Sequence, residues 1–260
     1  MKSTSFITRI AVLAYGSACY TMFLGVFLYA IGFIGNFGTP TTLDAPGQGS
    51  LVVALLVNCL LLTVFAVQHT VMARPTFKQW WNKFVPKPIE RSTYVLFTNV
   101  AMIMMFWFWQ PMGGIVWNLE NSMARTVVYV LFACGWLTVL YSTLLIDHFD
   151  LFGLRQVWLY FTGTPYTELE FRTPSLYRYV RHPLYVGWLA VFWIAPTMTF
   201  AHLLFAAITT AYILVAIQFE ERNLVELLPG YADYRKRVPM LIPSVIRTSD
   251  PSTPTSVENK

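Results

Sequence analysis

The sequence predicts an all-α polytopic membrane bundle of five to six transmembrane helices, with a C-terminal helical hairpin that forms a ligand site. Three observations carry that expectation. The chain is 56% hydrophobic and only 12% charged over 260 residues, whereas a soluble domain is nearer one quarter charged. So few charges do not coat a water-facing surface, and lipid is the solvent for much of the chain. The apolar residues also fall into runs close to the roughly 20 residues that a membrane-spanning helix needs. Lys and Arg, finally, are dense in some connecting segments and nearly absent from others, as the positive-inside rule requires.

Taken in order, the runs cover residues 10–34, 51–68, 94–109 and 126–146, followed by two shorter ones at 184–200 and 203–219. As helices the last two are about 25 Å long and barely span. Pro196 and His202 near their junction make them a hairpin, which crosses fully or only in part. The first run is too long for a cleavable signal, and no small-residue cleavage site follows it.

Topology follows from the basic residues. Arg74, Lys78, Lys83, Lys87 and Arg91 crowd the segment after the second run, and Arg155, Arg172, Arg178 and Arg181 that after the fourth. Residues 35–50 hold no Lys or Arg, and 110–125 hold only Arg125. The alternation puts both termini in the cytoplasm, with Trp107, Trp109 and Trp117 as an outer aromatic belt. Residues 1–247 are expected to form one integral membrane domain, and 248–260, rich in Ser, Thr and Pro, a disordered cytoplasmic tail. The net charge of +5 comes from basic residues beside apolar runs, so it points to the lipid bilayer and away from nucleic acid. Cys19, Cys59 and Cys134 lie inside apolar stretches without metal or redox spacing and read as packing residues.

Charges beside membrane spans are costly unless paired or wet, so their clustering is informative. Three clusters face the cytoplasmic side: Asp147-His148-Phe149-Asp150 with Gly153 and Arg155-Gln156; Tyr177 to Trp188, holding Arg181-His182-Pro183 and Tyr185; and Glu220-Glu221-Arg222-Asn223 with Tyr231 and Tyr234. A hairpin brings the last two together. Pro183 suits the first turn of a helix, and Gly187 permits close approach of a ligand or another helix. Each residue also has a plain structural reading: Arg181 and Tyr185 as interface anchors, Arg222 and Glu226 as an i,i+4 pair. Two charged clusters facing each other across a hairpin point instead to a polar ligand site at the membrane surface, and the residues by themselves go no further.

At these residues the chain resembles a known family. Arg181-His182-Pro183-Leu184-Tyr185-Val186-Gly187-Trp188, then Phe219-Glu220-Glu221-Arg222-Asn223, Gly230-Tyr231 and Tyr234 to Pro239, resemble the isoprenylcysteine carboxyl methyltransferases, a pattern shared with phospholipid methyltransferases. The resemblance covers residues 177–243, and the ordered two-part motif is far more specific than either half. It implies an S-adenosylmethionine site lined by His182, Pro183, Tyr185, Glu220 and Glu221, with Arg181 and Asn223 as further contacts. Upstream, Gln68-His69-Thr70 with Arg74-Pro75, Glu90-Arg91-Ser92-Thr93-Tyr94, and Asp147 to Gln156 resemble a narrower bacterial branch, the methanethiol S-methyltransferases, which implies a small thiol as acceptor and a bacterial inner membrane as location. No Gly-rich loop follows a strand-like segment, so a Rossmann-type cofactor site is not expected.

The implied chemistry is an in-line displacement in which a thiolate takes a methyl group from a sulfonium. A thiolate calls for a base or a cationic environment. His69, Asp147 and His148, at the cytoplasmic ends of the second and fourth runs, are the candidate catalytic residues. His and Asp could also suggest a metal, but repeated His or Cys ligands are missing, so none is expected. Other acceptors, an isoprenylcysteine or a phospholipid head group, remain open here. So does a non-catalytic transport or assembly role, although a transporter is expected to show internal repeats or paired broken helices.

Overall fold

In a bilayer core no water satisfies peptide groups, so each apolar run closes its own hydrogen bonds as a helix. The structure, a computed structural model, describes residues 5–47, 49–169 and 172–243; the expected tail at 248–260 lies outside them. Helix α1 spans Phe6–Gly35 and α2 Leu51–Ala73, and the short α3 spans Pro75–Trp81. Helix α4 covers Lys87–Phe108, strand β1 Ile115–Asn118 and α5 Ser122–Leu145. After α5 come α6 (His148–Leu151), α7 (Leu154–Thr162) and a single 3-10 turn at Ser175–Arg178. The hairpin consists of α8 (Pro183–Trp193), β2 (Thr197–Thr199) and α9 (Phe200–Leu227), and α10 (Tyr231–Arg237) follows.

Helices α1, α2, α5 and α9 are long and apolar enough to cross a membrane, and α8 is a shorter apolar helix. This is the expected all-α membrane bundle. Helix α4 begins seven residues before the run that announced it, because Pro88 sits in its first turn and Glu90 complements the positive end of the helix dipole. Its polar seam explains the muted hydropathy: Ser92, Thr93 and Asn99 are buried, and Asn99 Nδ2 donates to the Cys19 carbonyl at 3.2 Å.

The run at 184–200 is not helical throughout. Helix α8 stops at Trp193 after 11 residues, about 16 Å. Pro196 cannot continue a helix; the chain turns tightly at Ala195, whose N–H donates to the Trp193 carbonyl, and becomes a strand at Thr197–Thr199. Strand β2 there pairs antiparallel with β1, which the sequence did not suggest. Since β1 connects α4 to α5, the pairing of β2 with β1 puts the tip of the hairpin at the end of the bundle where α4 and α5 are joined.

Helix α5 packs on α8, α8 on α9, α9 on α2, α2 on α4, and α4 on α1, while α7 lies against α1 and α4. Gly187 serves this packing, because a Cβ there would meet Val139 at 2.8 Å. One end of the bundle gathers the loop before α2, β1 and β2, tied by Thr199 N–H donating to Asp44 (3.0 Å) and by His202 Nδ1 against Asp44 Oδ2 (2.8 Å). The other end gathers the basic loops. Trp107 is exposed as a belt residue is, but Trp109 is buried against Phe33 and Phe205 and belongs to the core. Of the cysteines only Cys19 is buried; Cys134 is exposed on the lipid-facing side of α5 and does not pack the core.

Candidate active site

The basic end holds two distinct polar constellations. The first is a clamp centred on Glu221, which is 2% exposed on α9. Its Oε1 accepts from Arg181 Nε at 2.7 Å and faces His182 Nε2 at 3.0 Å, while its Oε2 pairs with Arg235 Nε at 3.0 Å. Arg181 Nη1 also donates to the carbonyls of Arg235 and Val238. The backbone N–H groups of Arg181 and His182 donate to Pro239 and Met240. The residues after α10 are thereby sewn beneath the N-terminus of α8, whose first residue, Pro183, is buried. Tyr234 closes the seam by donating to the Tyr177 carbonyl at 2.6 Å, and burial pushes its phenol up to about 12, so it remains a donor. The Glu221 carboxylate is thus occupied by cations of the chain itself.

The second constellation is open. Glu220, one residue earlier, is exposed and accepts from Tyr185 at 2.8 Å. Asn223, one turn on from Glu220, shares its side of α9. Arg74 lies 4.0 Å over the Phe219 ring, with Arg222 on the same ring at 5.8 Å. Thr70 donates to the Tyr212 hydroxyl at 3.2 Å, tying α2 to α9. Next to Thr70, His69 stacks on Phe65 with ring centroids 5.4 Å apart. The Tyr94 hydroxyl stands 3.0 Å from His69 Nδ1 and 2.9 Å from Nε2. Arg91 lies over the Tyr94 ring at 5.2 Å and is held by the Leu151 carbonyl at 2.7 Å. Four helices, α2, α4, α8 and α9, thus converge on one half-buried aromatic surface bearing one carboxylate and several guanidinium groups.

His148 and Asp147 stand elsewhere. His148 is buried in a cage of Tyr20, Phe23, Phe149 and Phe152. Thr143 already gives its hydroxyl proton to the Leu140 carbonyl, so it accepts from His148 Nδ1–H at 2.9 Å, and Tyr20 donates to Nε2 at 2.8 Å. Both ring nitrogens are engaged, and burial lowers the pKa of the imidazole, keeping it neutral. Asp147 caps α6 by accepting from Asp150 N–H and does not touch the His148 ring nitrogens. Its φ of 75° turns the chain sharply out of α5. Farther on, Gly153, at φ 87°, fits against Ser92, where a Cβ would meet the backbone nitrogen at 2.7 Å. The motif at 147–156 therefore shapes a loop that docks on α4 and holds Arg91. Among the described residues no group of three or more His, Cys, Asp or Glu side chains is arranged to hold a metal ion.

Reading the sequence missed Tyr94 and Tyr212. Tyr94 stands three residues after Arg91, hence on the same helix face, a usable signal. Tyr212 sits inside an apolar run and carries no such mark.

Against curated proteins, the chain is 56% identical over 248 residues to the methanethiol S-methyltransferase of Crocosphaera subtropica, covering 95% of this chain and 97% of that one. The chain belongs to the methanethiol S-methyltransferase family. The enzyme of that name from Mycobacterium tuberculosis is 50% identical over 236 residues, with 90% and 97% covered. A more distant relative, nurim of Bos taurus, is 30% identical over 206 residues, 75% of this chain and 78% of that one. No family model and no solved structure matches. Membership makes the chain a membrane methyltransferase, and as such it requires a methyl donor. The open constellation offers suitable groups for a zwitterionic sulfonium donor: the Glu220 carboxylate and aromatic faces for its positive centres, Arg74 and Arg222 for a carboxylate.

Proposed function

We propose that this chain transfers a methyl group from S-adenosylmethionine to methanethiol, producing dimethyl sulfide and S-adenosylhomocysteine at the cytoplasmic face of a bacterial inner membrane. The observation that carries the proposal is the near full-length identity to enzymes named for this activity, joined to a site whose groups match both reactants. S-adenosylmethionine, when bound, supplies a methyl group on a positively charged sulfur. The chain's residues do the rest. Glu220, Tyr185 and Asn223 hold the donor, and Arg181, His182, Pro183 and Glu221 hold α8 and the 238–240 segment in position around it.

His69 is the base. With Nδ1–H toward Thr98 Oγ1 at 3.4 Å, Nε2 takes the Tyr94 hydroxyl proton at 2.9 Å. The thiol proton passes to the Tyr94 oxygen as the phenol proton passes to His69, leaving a thiolate, a neutral tyrosine and an imidazolium. Arg91 over Tyr94 stabilises the developing negative charge. Asp147 and His148 act at one remove, by docking the loop that holds Arg91.

Orientation follows the charge asymmetry: Arg74, Lys78, Arg91 and Arg181 share the end of the bundle that holds the site, and Arg125 is at the opposite end with β1 and β2. The test is purified protein in detergent with methanethiol and S-adenosylmethionine, assayed for dimethyl sulfide in the headspace. Transfer to an isoprenylcysteine or a phospholipid amine, with none to methanethiol, would overturn the proposal.

A further inference from the structure

In the half of the bundle nearer β1 and β2, away from the candidate site, the packing of helices is left open. The packing order begins at α5 and ends at α1, and between these two helices lies a groove of about 790 Å³. Leu28 and Ile31 of α1 form one wall, and Ala133 and Leu137 of α5 the other; every lining residue is aliphatic or aromatic. Leu28 and Leu137 are exposed, so the groove faces lipid. Its floor is closed toward the bundle interior. Phe27 meets Trp136 edge-on at 5.0 Å, Trp136 meets Trp188 of α8 at 5.3 Å, and Phe132 lies against Gly35.

The groove has the depth of one leaflet and a cation at its mouth. Tyr129, edge-on to Phe37 at 6.2 Å, stands at its top, and Leu140 at its bottom. Between them α5 rises about 16 Å, close to half of a hydrocarbon core about 30 Å thick. One turn above Tyr129, Arg125 continues the same face of α5. It is the one Lys or Arg in residues 35–50, 110–125 and 194–202. Half-buried, it lines a polar recess that shares Tyr129 and Phe132 with the groove. Its Nη1 donates to the Leu119 carbonyl at 3.2 Å and to Asn118 Oδ1 and Thr197 Oγ1 at 3.4 Å each. These acceptors are neutral, and among the described residues no carboxylate pairs with Arg125. Asp44 also lines the recess, but its oxygens are taken by the Thr199 N–H and His202. A guanidinium binds phosphate through parallel charge-assisted hydrogen bonds. A leaflet-deep apolar groove ending on such a cation matches a molecule with an anionic head and a long apolar tail; a small thiol uses neither the depth nor the charge. We propose that the groove holds one anionic phospholipid, with an acyl chain along α5 from Tyr129 to Leu140 and its phosphate on Arg125. The lipid fills the opening between α1 and α5, and the site stands independently of the methyl-transfer reading.

The test is native mass spectrometry of the full-length protein released from detergent, titrated with phosphatidylglycerol or with phosphatidylcholine of the same acyl chains. Wild type is compared with Arg125→Gln, with Ala133→Trp, which fills the groove, and with Leu131→Trp, which places the same bulk on an exposed part of α5 outside it. Wild type is expected to hold one phosphatidylglycerol about tenfold more tightly than phosphatidylcholine, as one charge-assisted contact provides. Arg125→Gln is expected to bring the two lipids within about twofold. Ala133→Trp should lose the tight phosphatidylglycerol, and Leu131→Trp should keep it. Lipid-free fluorescence melts show which variants fold; should Ala133→Trp fail, Arg125→Gln decides by the ratio of the two lipids. Wild type without preference, a preference that survives Arg125→Gln, or equal phosphatidylglycerol binding by the two tryptophan variants would overturn the proposal. A dimer that Ala133→Trp dissociates would overturn it in favour of a second copy of the chain in the groove.

Discussion

Glu220 and Glu221 are neighbours in sequence and are expected to answer mutation in opposite ways. Glu221 is buried and shared among Arg181, His182 and Arg235. Removing it by Glu221→Ala leaves Arg181, 10% exposed, and His182, 5% exposed, facing each other without a counter-charge. Breaking a buried pair from one side costs about 3–5 kcal/mol. The Arg235 arm is 45% exposed, and a surface pair contributes no more than about 1 kcal/mol. A loss of about 4 kcal/mol, at about 2–4 °C per kcal/mol for a domain near this size, lowers the thermal midpoint by about 10 °C. Glu220→Gln, by contrast, exchanges an exposed carboxylate for an amide that still accepts from Tyr185, so its midpoint is expected to stay within about 2 °C while S-adenosylmethionine affinity falls. Both follow from intrinsic fluorescence melts in detergent alongside calorimetry at low temperature. A Glu221→Ala protein with an unchanged midpoint and abolished cofactor binding would refute the clamp and make Glu221 a direct ligand.

Removing His69 as His69→Ala is expected to cut dimethyl sulfide formation by about a hundredfold at neutral pH with little change in S-adenosylmethionine affinity, and the deficit should shrink as rising pH supplies thiolate from solution; near-normal turnover at neutral pH counts against a protein base. Tyr94→Phe should give a similar deficit if the phenol relays the proton, and wild-type rates if it only packs. Burial holds the His148 pKa below its usual 6.5, so the unfolded chain binds the extra proton first and stability is lost as pH falls through about 6.5; melts from pH 7.5 to 5 should slope downward in wild type and flatten in His148→Asn, and equal slopes would dismiss His148 as the cause. Single cysteines placed at 79 and 83, in a chain whose native cysteines are replaced, should resist an impermeant thiol reagent in intact cells while one at 47 reacts, and the reverse pattern would invert the orientation.

The spans were legible because lipid leaves an apolar run little choice but to become a helix, and the alternation of Lys and Arg carries topology independently of any contact. The hairpin was legible as a pair of motifs, yet the sequence could not say that Pro196 converts its upper third into a strand seated on β1, because that pairing joins residues about 80 positions apart. The same limit applied to the histidines. His69 and His148 look alike as helix-end residues in the sequence, and in the structure each has a tyrosine hydroxyl at Nε2; what separates them is their surroundings, a closed aromatic cage with Thr143 on Nδ1 for His148 and, for His69, a tyrosine that lies against Arg91. Tyr212 was hidden by its apolar neighbours, since a pinned phenol reads as one more core aromatic until Thr70 is seen to hold it. The glutamate pair shows most directly why a motif stops short of a mechanism. Adjacent residues on an α-helix point about 100° apart, so two identical carboxylates on α9 meet different partners: Glu221 turns to the N-terminus of α8 and is saturated, and Glu220 turns to Tyr185 and keeps its charge available. The motif in the sequence shows only two identical letters side by side. Which one is saturated by the chain's own cations and which one stays exposed is decided by rotation about the axis of α9, and therefore by the packing of α8 against it.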